Sequence, residues 1–365
     1  MRHWIGVSLS LLRTGRSKNV KAFTGERCCS SYIDEYPHIQ TGSVNNITVT
    51  IVNTSQMTVS KLVNQFLENS SIGSFNSPTV YIKNIQVVRQ KLETLINSGR
   101  DKLEIVTDFD RTLSKYRHNG IILPTCYGIF EAVPELTEPT KSILVNLRNK
   151  YYPIEMDVSL TEGEKIPHMI EWWESAHKAM VECGLHKATL EKTVKESRLM
   201  LRDKVDDFLQ LLYDNNVPVL VFSAGLGDVI AFFLHHSKVY RDNMRVVSNF
   251  MIFDDDGKLT GFTSPIIHIF NKTANTVADN GLPKRPNVLL LGDSTGDVHM
   301  ADGAVVDDST GQLGTVLRIG FLNEAIEENL EKYQSLYDIV LVNDDTFNIP
   351  LKIIQSILTP DDLIR

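Results

Sequence analysis

Leu103-Glu104-Ile105-Val106-Thr107 is a short apolar run rich in β-branched residues, and it ends in Asp108-Phe109-Asp110-Arg111-Thr112. Side chains alternate along a strand, so Asp108 and Asp110 lean the same way wherever the extended conformation persists. Two carboxylates held that close repel each other unless a cation lies between them, and hard oxygen ligands suit Mg²⁺. The carboxyl end of a buried strand is also where open α/β sheets bind ligands. Asp-x-Asp-x-Thr recurs by chance in unrelated chains. It gains meaning only if other stretches supply a phosphate clamp and further metal ligands.

Three later stretches do so. Val217-Pro218-Val219-Leu220-Val221-Phe222-Ser223-Ala224-Gly225 reads as a buried strand that stops at a hydroxyl and a tight turn. Ser223 and the backbone N–H groups after it, starting with Ala224, can hold an anion where the next helix begins. The Gly225-Leu226-Gly227 spacing lacks the third glycine of a dinucleotide fingerprint and is set aside. Asn271-Lys272-Thr273 follows the apolar 266–270 stretch, although a single lysine is ordinarily a solvated surface group. Val288-Leu289-Leu290-Leu291-Gly292 then ends in Asp293-Ser294-Thr295-Gly296-Asp297. Asp293 and Asp297 beside Asp108 would give Mg²⁺ a mostly oxygen shell, with room for water and a phosphate oxygen. Acids at these places also serve as helix N-caps. That role does not explain all four features arriving in order at strand ends.

Between Asp110 and Ser223 lie roughly a hundred residues, far more than a strand-to-strand crossover needs. The pattern there is helical over 143–151, 166–183, 190–201 and 205–213. A helical insertion directly after the first strand reads as a cap, which excludes water and contacts substrate. Within it, Tyr151-Tyr152-Pro153-Ile154-Glu155 and Pro167-His168-Met169-Ile170-Glu171-Trp172-Trp173 stand out. Adjacent tryptophans on a helix point about 100° apart, so one packs inward and the other can offer a flat face to a pocket. A carboxylate such as Glu155 accepts from ring N–H and exocyclic amino donors, as on guanine or cytosine. Stacking on indole favours a cationic ring. Cationic 7-methylguanine meets both conditions; cytosine meets the first.

The 365 residues are 42% hydrophobic and 22% charged, the composition of a globular chain, and the length admits one large domain or two smaller ones. A net charge of −8 argues against general nucleic-acid or anionic-membrane binding. No apolar run reaches membrane-spanning length. Cys28-Cys29, Cys126 and Cys183 form neither a metal pair nor a disulfide framework, which favours a reducing compartment. The first 25 residues are basic and contain no acid before Glu26. They read as an extension of a cytoplasmic protein, with a mitochondrial transit peptide as the alternative. A strand over 47–52 and a helix over 59–68 are expected in this region. Ile85, Val88, Leu92 and Leu95 fall at helical spacing, and Asn97-Ser98-Gly99 supplies a stop. The division expected is an extension over 1–77, a core over 78–114 and 215–365, and a helical cap over 115–214.

The ordered set of Asp-x-Asp-x-Thr, strand-end Ser, Lys and Gly-Asp-x-x-x-Asp resembles the haloacid dehalogenase superfamily. Within it the chain is most similar to the cytosolic III-type pyrimidine and 7-methylguanosine-phosphate 5′-nucleotidases. Carrying the resemblance are Thr107-Asp108-Phe109-Asp110-Arg111-Thr112-Leu113-Ser114, Pro124-Thr125-Cys126, Tyr151-Tyr152-Pro153-Ile154-Glu155, Phe222-Ser223-Ala224-Gly225-Leu226-Gly227-Asp228, Val247-Ser248-Asn249-Phe250, Leu291-Gly292-Asp293-Ser294 and Met300-Ala301-Asp302-Gly303. Trp172-Trp173 and Ala176 look more like the 7-methylguanosine branch than the pyrimidine branch. Arg111 stands where the family is expected to have methionine, pointing outward, and residues 304–316 look longer than the family's loop.

The resemblance implies an α/β fold: a haloacid-dehalogenase-like, doubly wound core with a helical cap inserted after the first motif strand. It implies a monomeric, Mg²⁺-dependent 5′-nucleotidase acting on 7-methyl-GMP, CMP or both through an aspartyl phosphate. By the same resemblance Asp108 is the nucleophile and Asp110 the acid and base. Mg²⁺ would be held by Asp108, the Asp110 carbonyl and Asp293, with Asp297 behind them. Ser223, Ala224 and Lys272 would bind phosphate, Thr112 would orient the loop, and Glu155 and Trp173 would bind the base. A small-metabolite phosphatase or a nucleoside phosphotransferase would share the four motifs, and an inactive nucleotide-binding module is the rival from another class.

Overall fold

The computed structural model describes residues 41–44, 47–50, 79–157, 159–273, 281–302, 306–307 and 311–358. The chain divides into a unit over Met1–Leu62 and a larger one over Val63–Arg365. In the first, Thr41–Val44 pairs antiparallel with Ile47–Thr50, which covers most of the strand expected over 47–52. The helix expected over 59–68 lies outside the described residues.

The larger unit is built on a seven-stranded sheet. Its strands, in chain order, are β1 (Thr79–Tyr81), β2 (Leu103–Thr107), β3 (Val219–Leu226), β4 (Met244–Asn249), β5 (Asn287–Gly292), β6 (Val316–Leu322) and β7 (Ile339–Val342). In space they run β1-β7-β6-β5-β2-β3-β4, all parallel except β1, which pairs antiparallel with β7 at the edge. β5 is buried at every residue, and β3 at all but one, as parallel strands covered on both faces must be. The chain winds from β2 outward to β4, then crosses back to β5 and winds the other way. That reversal puts a topological switch point between β2 and β5, where such sheets open a crevice.

Helix α1 (Ile85–Ser98) is capped by the Asn84 side chain and stops at Gly99, whose φ of +71° suits glycine. The insertion after β2 holds α2 (Cys126–Phe130), α3 (Glu138–Met156), α4 (Glu162–Glu182), α5 (Lys187–Glu196) and α6 (Val205–Asp214). A Thr161/Glu164 capping box starts α4, and α3 and α4 pack side by side. The third helical pattern predicts a helix to 201, but α5 ends at Glu196. Beyond it Leu201 bridges Ser114 antiparallel, and this backbone pairing wins over helical propensity. α6 packs against α9 (Asn348–Leu358), which also meets α1. α7 (Gly227–His236) follows β3 directly, and α8 (Ile326–Leu336) packs on β6 and β7. In the 304–316 stretch, Val306–Asp307 pairs with Gln312–Leu313 as a short ribbon.

Candidate active site

Register decides what meets what. Thr107 lies level with Leu291 on one side and Val221 on the other. One residue past Thr107 is Asp108; two past Leu291 is Asp293; two past Val221 is Ser223. Three side chains distant in sequence therefore emerge together at the carboxyl ends of adjacent parallel strands. Asp108 is locked in line by its N–H, which donates to the Leu291 carbonyl at 2.9 Å.

All nine side chains singled out in the sequence line one pocket: Asp108, Asp110, Glu155, Trp173, Ser223, Ala224, Lys272, Asp293 and Asp297. Lys272 is buried, contrary to the habit of lysines, and bridges Asp108 at 2.8 Å and Asp297 at 2.5 Å. Burial opposes its charge, but those two carboxylates outweigh the penalty and raise its pKa. Asp297 folds back under Gly292, where a Cβ would come within 2.4 Å of it, so glycine is required at that strand end. One Asp297 oxygen meets Lys272; the other accepts from the N–H groups of Asp293 and Ser294 at 3.1 and 2.9 Å.

Oxygens of Asp108, Asp293 and Asp297 lie within 4.8 Å of one another. Burial, followed by mutual repulsion, raises the pKa of Asp293 well above the carboxylate range, and burial likewise raises that of Asp108. Such a set is short of positive charge, and its donors are hard oxygens, so it fits a divalent cation such as Mg²⁺. Asp297 already spends both oxygens on protein donors. Asp108 and Asp293 are the carboxylates of the set left to face an ion.

The Asp110 side chain turns away from this cluster toward α2. There it accepts from the Cys126 N–H at 3.0 Å. Burial lifts its pKa to about 6 against those Cys126 hydrogen bonds. Gly225 brings the β3 turn close: a Cβ there would lie 3.1 Å from the Asp110 carboxylate. Ser223 Oγ accepts from the Gly225 N–H at 3.1 Å; in place of the expected tight turn the strand runs on to Leu226, with a break in register between Phe222 and Leu226. On the cap side, burial raises Glu155 to about 7, with Lys165 pulling the other way. Trp173 meets Tyr127 edge-on at 6.3 Å, while Trp172 stacks on buried Tyr151 at 6.0 Å. The tryptophans thus divide as their 100° separation requires: Trp172 packs and Trp173 faces the pocket.

Several residues of the site escaped the sequence reading. Asn249 donates to the carbonyls of Ala224 and Ile267, both at 2.9 Å, and so ties the end of β3 to the stretch leading to Lys272. The Tyr333 hydroxyl donates to the Asp293 carbonyl, and that of Tyr337 to the Ser294 carbonyl. Tyr127 lines the pocket and hydrogen-bonds His177 at 3.3 Å; His177 in turn stacks on Phe262 at 3.8 Å. Tyr127 carries the strongest missed signal, since it follows the quoted Pro124-Thr125-Cys126 motif. Arg111, expected to point outward, instead lines the pocket, lies over the Tyr116 ring and pairs with Glu324 at 2.7 Å. The Thr112 hydroxyl is buried without a hydrogen-bond partner.

The model of the family "Pyrimidine 5′-nucleotidase (UMPH-1)" matches residues 111–358. The chain belongs to this family. As a pyrimidine 5′-nucleotidase family member it is an enzyme of the 5′-nucleotidase class. It is 38% identical over 291 residues to a human "7-methylguanosine phosphate-specific 5′-nucleotidase", covering 79% of this chain and 95% of that one. A Drosophila melanogaster protein of the same name is 34% identical over 277 residues, covering 73% and 85%. Among solved structures, cytosolic 5′-nucleotidase IIIB bound to cytidine matches with a TM-score of 0.69 at 30% identity, over 81% of this chain and 99% of that one. Together with the parallel sheet, this match establishes the haloacid-dehalogenase-like α/β fold for this nucleotidase. Among the described residues no helix is long and apolar enough to cross a membrane.

Proposed function

We propose that this 5′-nucleotidase hydrolyses 7-methyl-GMP, with CMP as the second substrate, in two displacements through an aspartyl phosphate on Asp108. The observation that carries the reading is the meeting of Asp108, Lys272, Asp293 and Ser223 with Glu155 and Trp173 in one pocket. A phosphoserine or sugar phosphatase needs the first four and has no use for the last two. Relatives named for 7-methylguanosine phosphate, and a structural neighbour bound to cytidine, support both substrates.

In this reading Asp108 attacks phosphorus in line with the departing 5′-oxygen. Asp110, lifted toward neutrality by burial, protonates that oxygen and then takes a proton from the water that cleaves the aspartyl phosphate. Lys272, the Ser223 hydroxyl and the Ala224 amide hold the phosphoryl oxygens, where charge must be stabilised during transfer. Mg²⁺ held by Asp108, Asp293 and the Asp110 carbonyl would offset the repulsion between carboxylate and phosphate. Glu155 accepts from the base edge, and Trp173 stacks on the ring. A monomer in the cytoplasm fits these roles, and relatives are named as cytosolic enzymes.

The test is kcat/KM with Mg²⁺ across 7-methyl-GMP, CMP, UMP, GMP and AMP. The reading expects 7-methyl-GMP first and CMP next, and a preference for AMP or for sugar phosphates would overturn it. Asp108→Asn should abolish turnover in a protein with an unchanged circular dichroism spectrum. Phosphate transfer to an added nucleoside, followed by product analysis, separates the hydrolase from a phosphotransferase.

A further inference from the structure

Among the described residues Arg202 is the largest side chain buried below 2% exposure, and none of its hydrogen-bond acceptors is a carboxylate. Its Nε donates to the Thr112 carbonyl at 2.8 Å. Its terminal nitrogens donate to the carbonyls of Arg111 and Asp344 and, at 2.8 Å, to Asn323 Oδ1. The guanidinium also lies over the Phe321 ring at 4.2 Å. Burial is expensive for a cation, and it pulls the arginine down to about 10 against the opposing charges of Asp293, Asp345 and Asp344, still charged at neutral pH. A site that tolerates this cost has five fixed donors to offer in return.

Those donors converge on the turn that carries the catalytic carboxylates. Arg111 sits at φ +61°, a left-handed conformation that non-glycine residues avoid. Its N–H is held by Ser114 Oγ at 2.8 Å, and its carbonyl accepts from both Arg202 and the Asn323 amide. Arg202 also lies on the strand returning from the cap. Its N–H donates to the Leu113 carbonyl, Lys115 N–H donates to the Met200 carbonyl, and Asp203 exchanges backbone bonds with the 345–347 loop. The outgoing and returning linkers of the insertion are thus paired to each other, and one side chain from the return strand grips the loop beginning at Asp110.

We propose that Arg202 is a positioning residue for catalysis: it holds the strained Arg111-Thr112 turn, and through it the direction of Asp110, against the strap on which the cap is hung. This rests on the assignment of Asp108 and Asp110 above. The experiment is steady-state kinetics on Arg202→Met and Arg202→Lys, with Lys115→Met as a control. Lys115 is also buried in the strap, though less deeply, and its ammonium pairs with Asp203 at 2.6 Å rather than with the Arg111-Thr112 carbonyls.

The expected result for the Arg202 variants is a kcat about 30- to 100-fold lower, the effect of a misplacement near 1 Å, with KM within about threefold of the wild type. Lysine, lacking the fork, should rescue little. Lys115→Met should melt earlier yet keep its kcat. A folded Arg202 variant with wild-type kcat, a loss confined to KM, or an equal kcat loss in Lys115→Met would each overturn the proposal. Should neither Arg202 variant fold, Asn323→Leu removes one acceptor of Arg202 and a second donor to the Arg111 carbonyl. A lowered kcat there supports the proposal and an unchanged one overturns it. An active Asp108→Asn enzyme would remove the catalytic assignment itself. Wild-type kcat in Arg202 variants beside an inactive Asp108→Asn enzyme would remove only the role of Arg202.

Discussion

Glu155 and Trp173 come from different cap helices, α3 and α4, and meet Asp108 and Asp110 in the same pocket. Their loss should therefore separate base recognition from chemistry. Glu155→Gln keeps the size and one acceptor but removes the charge that an electron-poor base needs. It should raise KM for 7-methyl-GMP by about 10- to 100-fold, the value of one or two charge-assisted hydrogen bonds, while p-nitrophenyl phosphate hydrolysis stays within about twofold. Trp173→Ala should show the same asymmetry through lost stacking. Equal losses on both substrates would remove the base pocket from this part of the cap. At this scale the sequence was most informative about acids. Asp108, Asp110, Asp293 and Asp297 declare themselves because carboxylates at the ends of apolar runs are unusual. Asn249 stood in a quoted stretch without a role, and Arg202 was illegible, because their partners are mostly backbone carbonyls that any residue could supply.

The strands positioning these acids carry a second titrating group. Glu104 lies within β2, and burial raises it to about 7 against a hydrogen bond from the Arg285 N–H and the charges of Lys284 and Arg285. The folded state then binds the proton more tightly than the unfolded state does. Its contribution to stability is full below about pH 4.5 and is lost as pH rises through about 7. Glu104→Gln keeps an acceptor for Arg285 without the buried charge. It should raise the melting temperature at pH 8 by roughly 2–4 °C, about the shift that 1 kcal/mol produces, and leave pH 4.5 stability almost unchanged. A variant no more stable than wild type at pH 8 would remove this account; kcat should not change, because Glu104 lies outside the pocket. Element types were largely readable here: apolar β-branched runs became β2, β3 and β5, and α1 begins and ends at its signals. The end of α5 was read five residues late, since Leu201 pairs with Ser114 and that partner is remote in sequence.

Across the whole molecule, the fold brings Asp108 and Asp297 onto one buried lysine, with Asp110 and Asp293 in the same pocket. The pocket thus concentrates negative charge that the unfolded chain disperses, and a divalent cation should bind the folded form alone. Saturating Mg²⁺ should raise the melting temperature and EDTA should lower it. At a hundred times the dissociation constant the gain is about 2.7 kcal/mol. Asp293→Asn, which removes a carboxylate facing the ion, should abolish most of the shift; a full shift in that variant would place the cation elsewhere.

Residue types and their order alone determined that the chain contains buried strands ending in acids and a hydroxyl, with a helical insertion between the first two. These are local properties, set by side-chain period and by what each residue can bond to. Which strands become neighbours is not local. The adjacency of β5, β2 and β3 brings carboxylates nearly two hundred positions apart, Asp108 and Asp293, to one pocket, and only the folded sheet decided it. The burial of Lys272 and the grip of Arg202 on the catalytic turn have the same origin. Each exists because distant backbone was brought within hydrogen-bonding distance and water was removed from between.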